Sequence, residues 1–537
     1  MSTKRTKRKQ GKPLAKGRQV NDADLNTVRH LLQDGREDIT SGRDLLIEHL
    51  HVLNDHFGGL TPEHIAALAN VLGLAQVEVY ETASFYAHFN ITTAPPAPIT
   101  VRICDGPVCQ MAGAKALLKQ ALAAFGDHVT IHPAPCQGAC DTPPAAMVGK
   151  SRIGHVDLET LRAALKNPPN APASPDAPAL TEIVCPPDLR DQLHTAGLRG
   201  MGGAGFAVAR KWGFFPHARP PNSPERVLVV NADEGEPGTF KDRFLLETDL
   251  SKVLRGMLIT AQALAVRDVF FYLRDEYPHI HADLKATFAD LRLDGVRFHL
   301  RRGAGAYVCG EETALLNSLE GKRGTPRNRP PYPAQHGYKN RPTLTHNVET
   351  LYWIADIAER GQAAYVADGR PRFYSLSGRV RNPGVYRAAS TTTVAQLIAM
   401  AGGMIDGHRL YAFLPGGASG GIFPARFADR AMDFGVFEEL GGFVGSGALM
   451  VVSDHDDVTD VARTLTAFFA AESCGKCTPC RIGCEKLLDL MSDMSGSNAD
   501  HIRDLSAAMR DGSICGLGQA APNPLCSLLN HFAKGDP

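Results

Sequence analysis

No sign of charge predominates in the chain. Its 57 Lys and Arg balance 57 Asp and Glu, giving a formal net charge of zero, which argues against nucleic acid as the main partner. There is also no run of about 18 uncharged apolar residues, so no membrane span is expected. The first 18 residues hold eight Lys or Arg and no acid. No apolar stretch follows them, so they read as a disordered, solubilising tail (residues 1–20) and not as a signal peptide. Without an export signal the chain is expected to be soluble and cytoplasmic. At 537 residues it is too long for one ordinary core, and its length suggests about three to four domains.

Twelve cysteines in a chain without an export signal are better explained as thiolate ligands than as disulfides. Eight fall into two groups: Cys104, Cys109, Cys136 and Cys140, then Cys474, Cys477 and Cys480 with Cys515. Cys185, Cys309, Cys484 and Cys526 stand outside these patterns.

Residues 21–94 have helical texture. Leu45, Leu46, Leu50 and Leu53 repeat at near-helical spacing, and Thr61 followed by Pro62 marks a helix start whose inner face is Ile65, Ala66, Leu68 and Ala69. Phe85, Tyr86 and Phe89 read as core. In residues 95–166, strands over 99–103 and 129–131 feed the two cysteine loops, with a helix over 112–125 between them and a further strand at 145–148. This brings four thiolates to one side of a small α/β sheet. The gaps of four and three residues within the pairs depart from the two-residue knuckles of most structural zinc sites and leave a [2Fe-2S] cluster as the alternative. Residues 167–180, rich in proline, read as a linker.

The next segment, 181–365, carries the loop Leu-Arg-Gly-Met-Gly-Gly-Ala-Gly-Phe206, followed by Lys211 and Trp212. Its glycines let backbone amides approach a phosphate or a flat ring. Gly200, Gly202 and Gly205 fit the dinucleotide fingerprint, but that motif requires a strand before it, and residues 191–197 look helical. A tight structural turn therefore stays open beside a ligand cradle. A strand at 226–230 ends in Asn-Ala-Asp-Glu-Gly-Glu-Pro-Gly-Thr-Phe-Lys-Asp-Arg243, whose acids are suited to accepting hydrogen bonds from ribityl or ribose hydroxyls. After a helix at 252–265 and strands at 269–273 and 296–300, a second glycine-rich loop, 303–313, opens another helix. The alternation predicts a mostly parallel sheet. Cys309 reads as a packing residue. Residues 366–456 turn to short strands with one helix at 394–401 and no evident chemical group, and are expected to act as a spacer. In the helical segment 457–537, Cys474, Cys477 and Cys480 can occupy three corners of a cubane, with a three-cysteine zinc site as the alternative. Cys515, beside Gly516, is taken as the fourth ligand ahead of Cys484 and Cys526.

The runs ending at Phe206, Arg243, Thr313 and Arg481 closely resemble the NADH-binding flavoprotein subunit of respiratory complex I and its soluble relatives. The segment before the linker resembles the thioredoxin-like [2Fe-2S] subunit of the same enzymes, here fused into one chain. The resemblance implies an α/β multidomain fold: a helical bundle, a thioredoxin-like [2Fe-2S] domain, a Rossmann-like FMN/NADH domain, a small β-grasp domain of SLBB type and a C-terminal helical [4Fe-4S] domain. It implies FMN held by Gly200, Gly202, Gly203, Lys211, Asn231, Asp233, Glu234 and Gly310, with Thr345, Asn347 and Thr350 on the far side. His346 stands where many relatives have asparagine, and either binds the FMN phosphate or packs. NAD is implied near Phe206, Phe214, Glu236, Tyr307, Glu311 and Glu312, with Arg329 and Tyr332 where many relatives carry Lys and Phe. It implies the [2Fe-2S] cluster on the first cysteine group and the [4Fe-4S] cluster on the second. No amino-acid nucleophile is expected, since the flavin is the reactive group.

Among fused relatives, the stretches 44–51, 272–278 and 414–424 look most like the β subunit of NAD-dependent formate dehydrogenases containing molybdenum or tungsten. The implied partners are the large formate dehydrogenase subunit and a further small [2Fe-2S] subunit. The alternatives are the diaphorase subunit of an NAD-reducing hydrogenase, a complex I-type NADH dehydrogenase, and a flavin-free wiring scaffold.

Overall fold

Thr61 begins a helix as its sequence predicts: its hydroxyl accepts from the His64 amide at 3.3 Å, and Pro62 occupies the first turn, where no amide partner is needed. In the computed structural model, which describes residues 17–33, 42–93, 99–126, 129–167, 183–215 and 224–532, this helix belongs to the first of two compact units. Most of the proposed basic tail and nearly all of the proline-rich linker lie outside the described residues.

The first unit contains helices Asp22–Gln33, Leu46–Phe57, Pro62–Leu72 and Gln76–Phe85. Val28, Leu46, Leu50, Leu53, Leu68 and Val79 form its interior. Tyr86 and Phe89 are buried, with Phe89 edge-on to His51 at 4.9 Å, so these aromatics are core.

The second unit begins with β1 (Thr100–Cys104), β2 (Thr130–Ala134), β3 (Ala146–Val148) and β4 (Ser151–Ile153), in the order β2-β1-β3-β4. β1 and β2 run parallel, so the loops that follow them emerge at the same edge. The helix expected over 112–125 is two helices, Pro107–Met111 and Ala114–Phe125, separated by Gly113 in the left-handed region at φ 92°. Pro107 starts the first of them, five residues earlier than the apolar periodicity suggests.

Next comes a fully parallel sheet of β5 (Val227–Ala232), β6 (Asp268–Leu273), β7 (Arg297–Arg302) and β8 (Thr343–Asn347), in the order β7-β6-β5-β8. This is the doubly wound order. The chain builds outward from β5 to β7 and then returns to β5's other side, which opens a crevice at the carboxyl ends of β5 and β8. The central strands β5 and β6 are near-continuous apolar runs, as strands covered on both faces require, and Leu228, Val230, Phe271 and Leu344 pack against helices Leu250–Ala263 and Val348–Arg360.

Asp268 fastens one end of this sheet. Its carboxylate accepts from Arg297 at 2.8 and 2.7 Å, from Arg341 at 2.5 Å, and pairs with His299 at 2.9 Å. Burial pushes its pKa up, but these partners outweigh burial and hold it well below the ordinary carboxylate range. Its contribution is therefore complete above about pH 4, the unfolded value, and declines as the pH falls below it. Asp268→Asn is expected to cost about 3 kcal/mol at pH 7. The urea midpoints of variant and wild type should converge below about pH 4.

The third sheet, β9 (Arg372–Gly378), β10 (Gly384–Ala388), β11 (Leu410–Ala418), β12 (Phe423–Pro424) and β13 (Ala448–Ser453), has the order β10-β9-β13-β11-β12 and one covering helix, Val394–Met400. Five helices from Val458–Ala471 to Asn523–His531 complete the unit. Among the described residues no helix is long and apolar enough to cross a membrane.

Candidate functional site

The crevice at the carboxyl edge of β5 and β8 gathers the motifs. The helix Leu189–Ala196 ends on Gly197 in the left-handed region, and the glycine loop follows it directly, ahead of β5 and not after it. That placement separates it from a dinucleotide fingerprint, which comes after the first strand. The loop is closed by its own backbone, the Gly200 amide donating to the Phe206 carbonyl at 2.9 Å, and anchored by the Met201 amide donating to Thr350 Oγ1 at 2.9 Å. Gly203 has a φ of 126°, and a Cβ there would meet nothing within 4 Å, so this part of the loop faces open space.

Lys211 reaches across the crevice, its Nζ donating to the Thr345 carbonyl at 2.8 Å and to Glu312 Oε2 at 3.0 Å. Opposite it, Asn231 Nδ2 donates to the Gly310 carbonyl at 2.9 Å, joining the acidic turn to the second glycine loop. Glu311 caps the helix Glu312–Leu319 by accepting from the Thr313 and Ala314 amides at 2.9 and 2.8 Å. Arg329 Nη1 lies 3.9 Å from Glu312 Oε1. At the rim, Phe206 and Phe214 sit 6.2 Å apart and remain 40% and 53% exposed, and Tyr332 is 55% exposed, so three aromatic faces are open to a planar ligand.

Two polar atoms identify the crevice as a receptor. Asp233 Oδ2 and Thr345 Oγ1 are buried yet have no hydrogen-bond partner among the described residues. Buried polar atoms are nearly always satisfied, so two orphans beside an open glycine loop fit a ligand with hydroxyl and ring-nitrogen groups. Burial pushes the Asp233 carboxyl up to about 8.

Two residues expected at FMN are engaged by the protein. Glu234 accepts from the Asp242 and Arg243 amides at 2.7 and 3.1 Å and from the Tyr277 hydroxyl at 2.9 Å, so it anchors the helix Lys241–Thr248. His346 is buried, and its Nε2 accepts from the Trp212 indole at 2.8 Å. Burial, helped by Lys211, holds its pKa well below the ordinary histidine value. A neutral ring packed on Trp212 is the arrangement observed. Asn347 caps the helix Val348–Arg360, its Oδ1 accepting from the Glu349 amide at 3.1 Å.

Several contributors carry no local signal in the sequence. Glu236 accepts from the Ser419 amide and hydroxyl at 2.8 and 2.7 Å, and its other oxygen accepts from Tyr307. The segment expected to be a spacer therefore holds an acid of the site in place. Glu472, two residues before Cys474, accepts from the Tyr307 amide at 2.9 Å, and burial pushes its carboxyl up to about 7.

Both cysteine groups converge. Cys104, Cys109, Cys136 and Cys140 are all buried, with the Cys136 and Cys140 sulfurs 3.4 Å apart. Cys474, Cys477, Cys480 and Cys515 line one recess together with Pro326, Ser473 and Leu517. Cys484 and Cys526 are not in its lining. None of the twelve cysteines is in a disulfide. Sets of four thiols at two separate places fit two iron-sulfur clusters.

Known proteins match this layout. Residues 193–356 match the Nuo51 FMN-binding domain, 460–535 the NADH-ubiquinone oxidoreductase-F iron-sulfur binding region, 35–168 the thioredoxin-like [2Fe-2S] ferredoxin and 373–423 the SLBB domain. The chain is 36% identical over 370 residues to an F-type NADH-quinone oxidoreductase subunit of Rhizobium meliloti, covering 65% of this chain and 87% of that protein. It is 37% identical over 372 residues to the NADP-reducing hydrogenase subunit HndC of Solidesulfovibrio fructosivorans, covering 65% and 75%. The crystal structure of an NAD+-reducing [NiFe]-hydrogenase in the H2-reduced state is similar with a TM-score of 0.81 at 31% identity, over 92% of this chain and 93% of that one. The chain thus belongs to the family of NADH-binding flavoprotein subunits that carry FMN and a [4Fe-4S] cluster, here fused to a thioredoxin-like [2Fe-2S] region.

Proposed function

We propose that the chain is the diaphorase subunit of an NAD-dependent formate dehydrogenase, exchanging electrons between iron-sulfur clusters and NAD+/NADH. The carrying observation for the diaphorase role is the crevice itself: an open glycine loop, two orphaned buried acceptors and exposed aromatic faces, with the [4Fe-4S] recess attached to its second glycine loop. That attachment is direct. The backbone amide of Tyr307 in that loop donates to Glu472 beside Cys474, and beyond the helix Glu312–Leu319 the Pro326 carbonyl accepts from Lys476.

FMN bound in the crevice supplies the exchange between one hydride and two single electrons. The glycine loop would present amides to it, Lys211 would supply a positive charge in the crevice, and Asp233 and Thr345 would offer the two free partners. The nicotinamide nucleotide is proposed to lie over the rim formed by Phe206, Phe214 and Tyr332. Glu236 and Tyr307 would fix its polar groups, with Glu311, Glu312 and Arg329 at its far end. A Glu236 held from both sides reaches the nucleotide without first losing side-chain freedom.

Ser419→Ala removes one of Glu236's donors, and a hydrogen bond to a charged group contributes about 1.5–3 kcal/mol. We expect the KM for NADH to rise about tenfold or more while kcat changes less, because a binding contact and not a bond-making group is disturbed. An unchanged KM would remove Glu236 from the nucleotide site.

Formate is favoured as the partner's substrate by the stretches 44–51, 272–278 and 414–424, which look most like formate dehydrogenase β subunits. A hydrogenase diaphorase is the second reading, favoured by the structural likeness to the NAD+-reducing [NiFe]-hydrogenase over 92% of the chain. Purification of the native complex decides between them. A copurifying large subunit with molybdenum or tungsten and formate-dependent NAD+ reduction is expected; nickel and hydrogen-dependent NAD+ reduction would overturn the formate assignment.

A further inference from the structure

Arg274 follows β6 at the crevice edge and is only 5% exposed, although it is charged. Its guanidinium is shared between two parts of the chain. Nη1 donates to the carbonyl of Glu234 in the acidic turn, and Nη2 donates at 2.7 Å to the carbonyl of Cys136 and at 2.7 Å to Glu276 Oε1. Tyr277 lies beneath it, with the guanidinium carbon 5.2 Å from the ring centroid, and its hydroxyl holds Glu234 Oε2. Gly138, in the same loop as Cys136 and Cys140, has a φ of 65°, and any side chain there would collide with the Tyr277 hydroxyl. The cysteine loop is therefore pressed backbone-first onto residues 274–277. Other contacts of this docking avoid the cysteine backbone: Arg243 pairs with Asp141 at 2.6 Å, and Arg379 donates to the Met111 carbonyl at 3.1 Å.

A buried cation that donates to the carbonyl of a cluster ligand acts on the cluster's charge. Reducing a [2Fe-2S] centre adds one electron, and net charge and hydrogen bonding around the ligands set how favourable that addition is. In a water-poor interior the attraction is far less screened than at the surface. Glu276 offsets part of this charge but lies on one side of the guanidinium, leaving Nη1 and the other hydrogen of Nη2 directed at the two carbonyls. We propose that Arg274 is a positioning residue that raises the reduction potential of the [2Fe-2S] centre and ties that centre to the flavin turn. The proposal rests on Cys104, Cys109, Cys136 and Cys140 being the cluster's ligands.

The test is a dithionite titration of the full chain carrying its clusters and FMN, followed by electron paramagnetic resonance. In Arg274→Gln the [2Fe-2S] midpoint should become more negative, with the reduction equilibrium at fixed potential falling about tenfold, or about 59 mV for one electron. The [4Fe-4S] midpoint in the same sample should not move. Arg274→Lys should give a smaller shift of the same sign, since an ammonium has no planar fork to span both carbonyls. Asp141→Asn cuts a docking contact without touching Arg274 and, because it removes a negative charge beside Cys140, should not make the [2Fe-2S] midpoint more negative. An unshifted [2Fe-2S] midpoint in Arg274→Gln overturns the proposal, as does an equally negative shift in Asp141→Asn, which charge cannot produce and which would make docking the cause. If the glutamine variant loses the cluster, a wild-type midpoint in Arg274→Lys overturns it instead. A [2Fe-2S] signal that persists in Cys136→Ala overturns the ligand set, and the proposal with it.

Discussion

Replacing Lys241 by methionine is expected to cost about 3–5 kcal/mol. Lys241 is 1% exposed. Its Nζ meets Asp242 Oδ1 at 2.7 Å, Glu349 Oε2 at 3.0 Å and Asn347 Oδ1 at 3.4 Å. Burial alone would lower its pKa, but the Asp242 and Glu349 carboxylates reverse this and raise it, so the side chain is a cation at any ordinary pH. Removing it leaves two carboxylates in the interior with no counter-charge. Neither can reach water, since their side chains are 3% and 1% exposed. Glu349 is also fixed by the Trp353 indole at 3.0 Å and the Phe373 amide at 2.9 Å, so it cannot turn away. A loss of that size is a large part of a domain's stability, about 5–15 kcal/mol. Because Asn347 Nδ2 also donates to Asp242 at 2.5 Å, the damage falls on the far wall of the crevice. The check is the thermal midpoint together with FMN content after purification, both of which should fall. Neutralising the acids as well, in Lys241→Met/Asp242→Asn/Glu349→Gln, should recover part of the stability, because the penalty comes from uncompensated charge and not from lost volume.

How much of this was legible in the sequence follows from how local each signal is. Thr61 and Pro62 announce a helix because the cap and the first turn lie within a few residues of each other. The central strands at 226–230 and 269–273 are legible because burial on both faces demands unbroken apolar runs, whereas Thr343–Asn347 offers no such run and is not read as a strand from sequence. The glycine loop was legible as a cradle, and its distinction from a dinucleotide fingerprint turned on the helix before it, which the structure contains as Leu189–Ala196. Strand alternation does not place His346, because Leu344 and Thr345, on opposite faces of its strand, are both buried. Its partner Trp212 lies 134 residues away. What escapes is long-range pairing of polar groups. Ser419 is 183 residues from Glu236, and Arg274 is 138 residues from Cys136. No periodicity or motif joins such positions. A glycine-rich β-segment therefore read as a spacer, although its loop orients an acid of the site.

Cys515→Ala is expected to abolish the [4Fe-4S] centre, while Cys484→Ala leaves it in place. Both cysteines are buried and both were available in sequence as the fourth ligand. Cys484 lies one turn beyond Cys480 on the helix Thr478–Leu490, at 0% exposure, and is absent from the recess lining. Cys515 arrives from another segment of the chain, immediately before the helix Gly516–Ala520, and lines the recess with Cys474, Cys477 and Cys480. Burial raises its thiol to about 11, while the Leu517 and Gly518 amides, donating to its sulfur, counter that rise. Those amides suit a thiolate, the form that binds iron. Gly518 is required for this approach, since a Cβ there would stand 2.7 Å from the Cys480 Cβ. Iron analysis separates the variants: about six irons per chain in wild type and in Cys484→Ala, from one cluster of each kind, and about two in Cys515→Ala. Reduction of a small artificial acceptor by NADH should survive in Cys515→Ala, because the flavin crevice is intact, whereas NAD-linked turnover with the partner subunit should be lost. Iron at the wild-type level in Cys515→Ala with a deficit in Cys484→Ala would exchange the roles of the two residues. Such a result would mean that Cys484, whose thiol hydrogen-bonds to that of Cys480, turns toward the recess in place of Cys515.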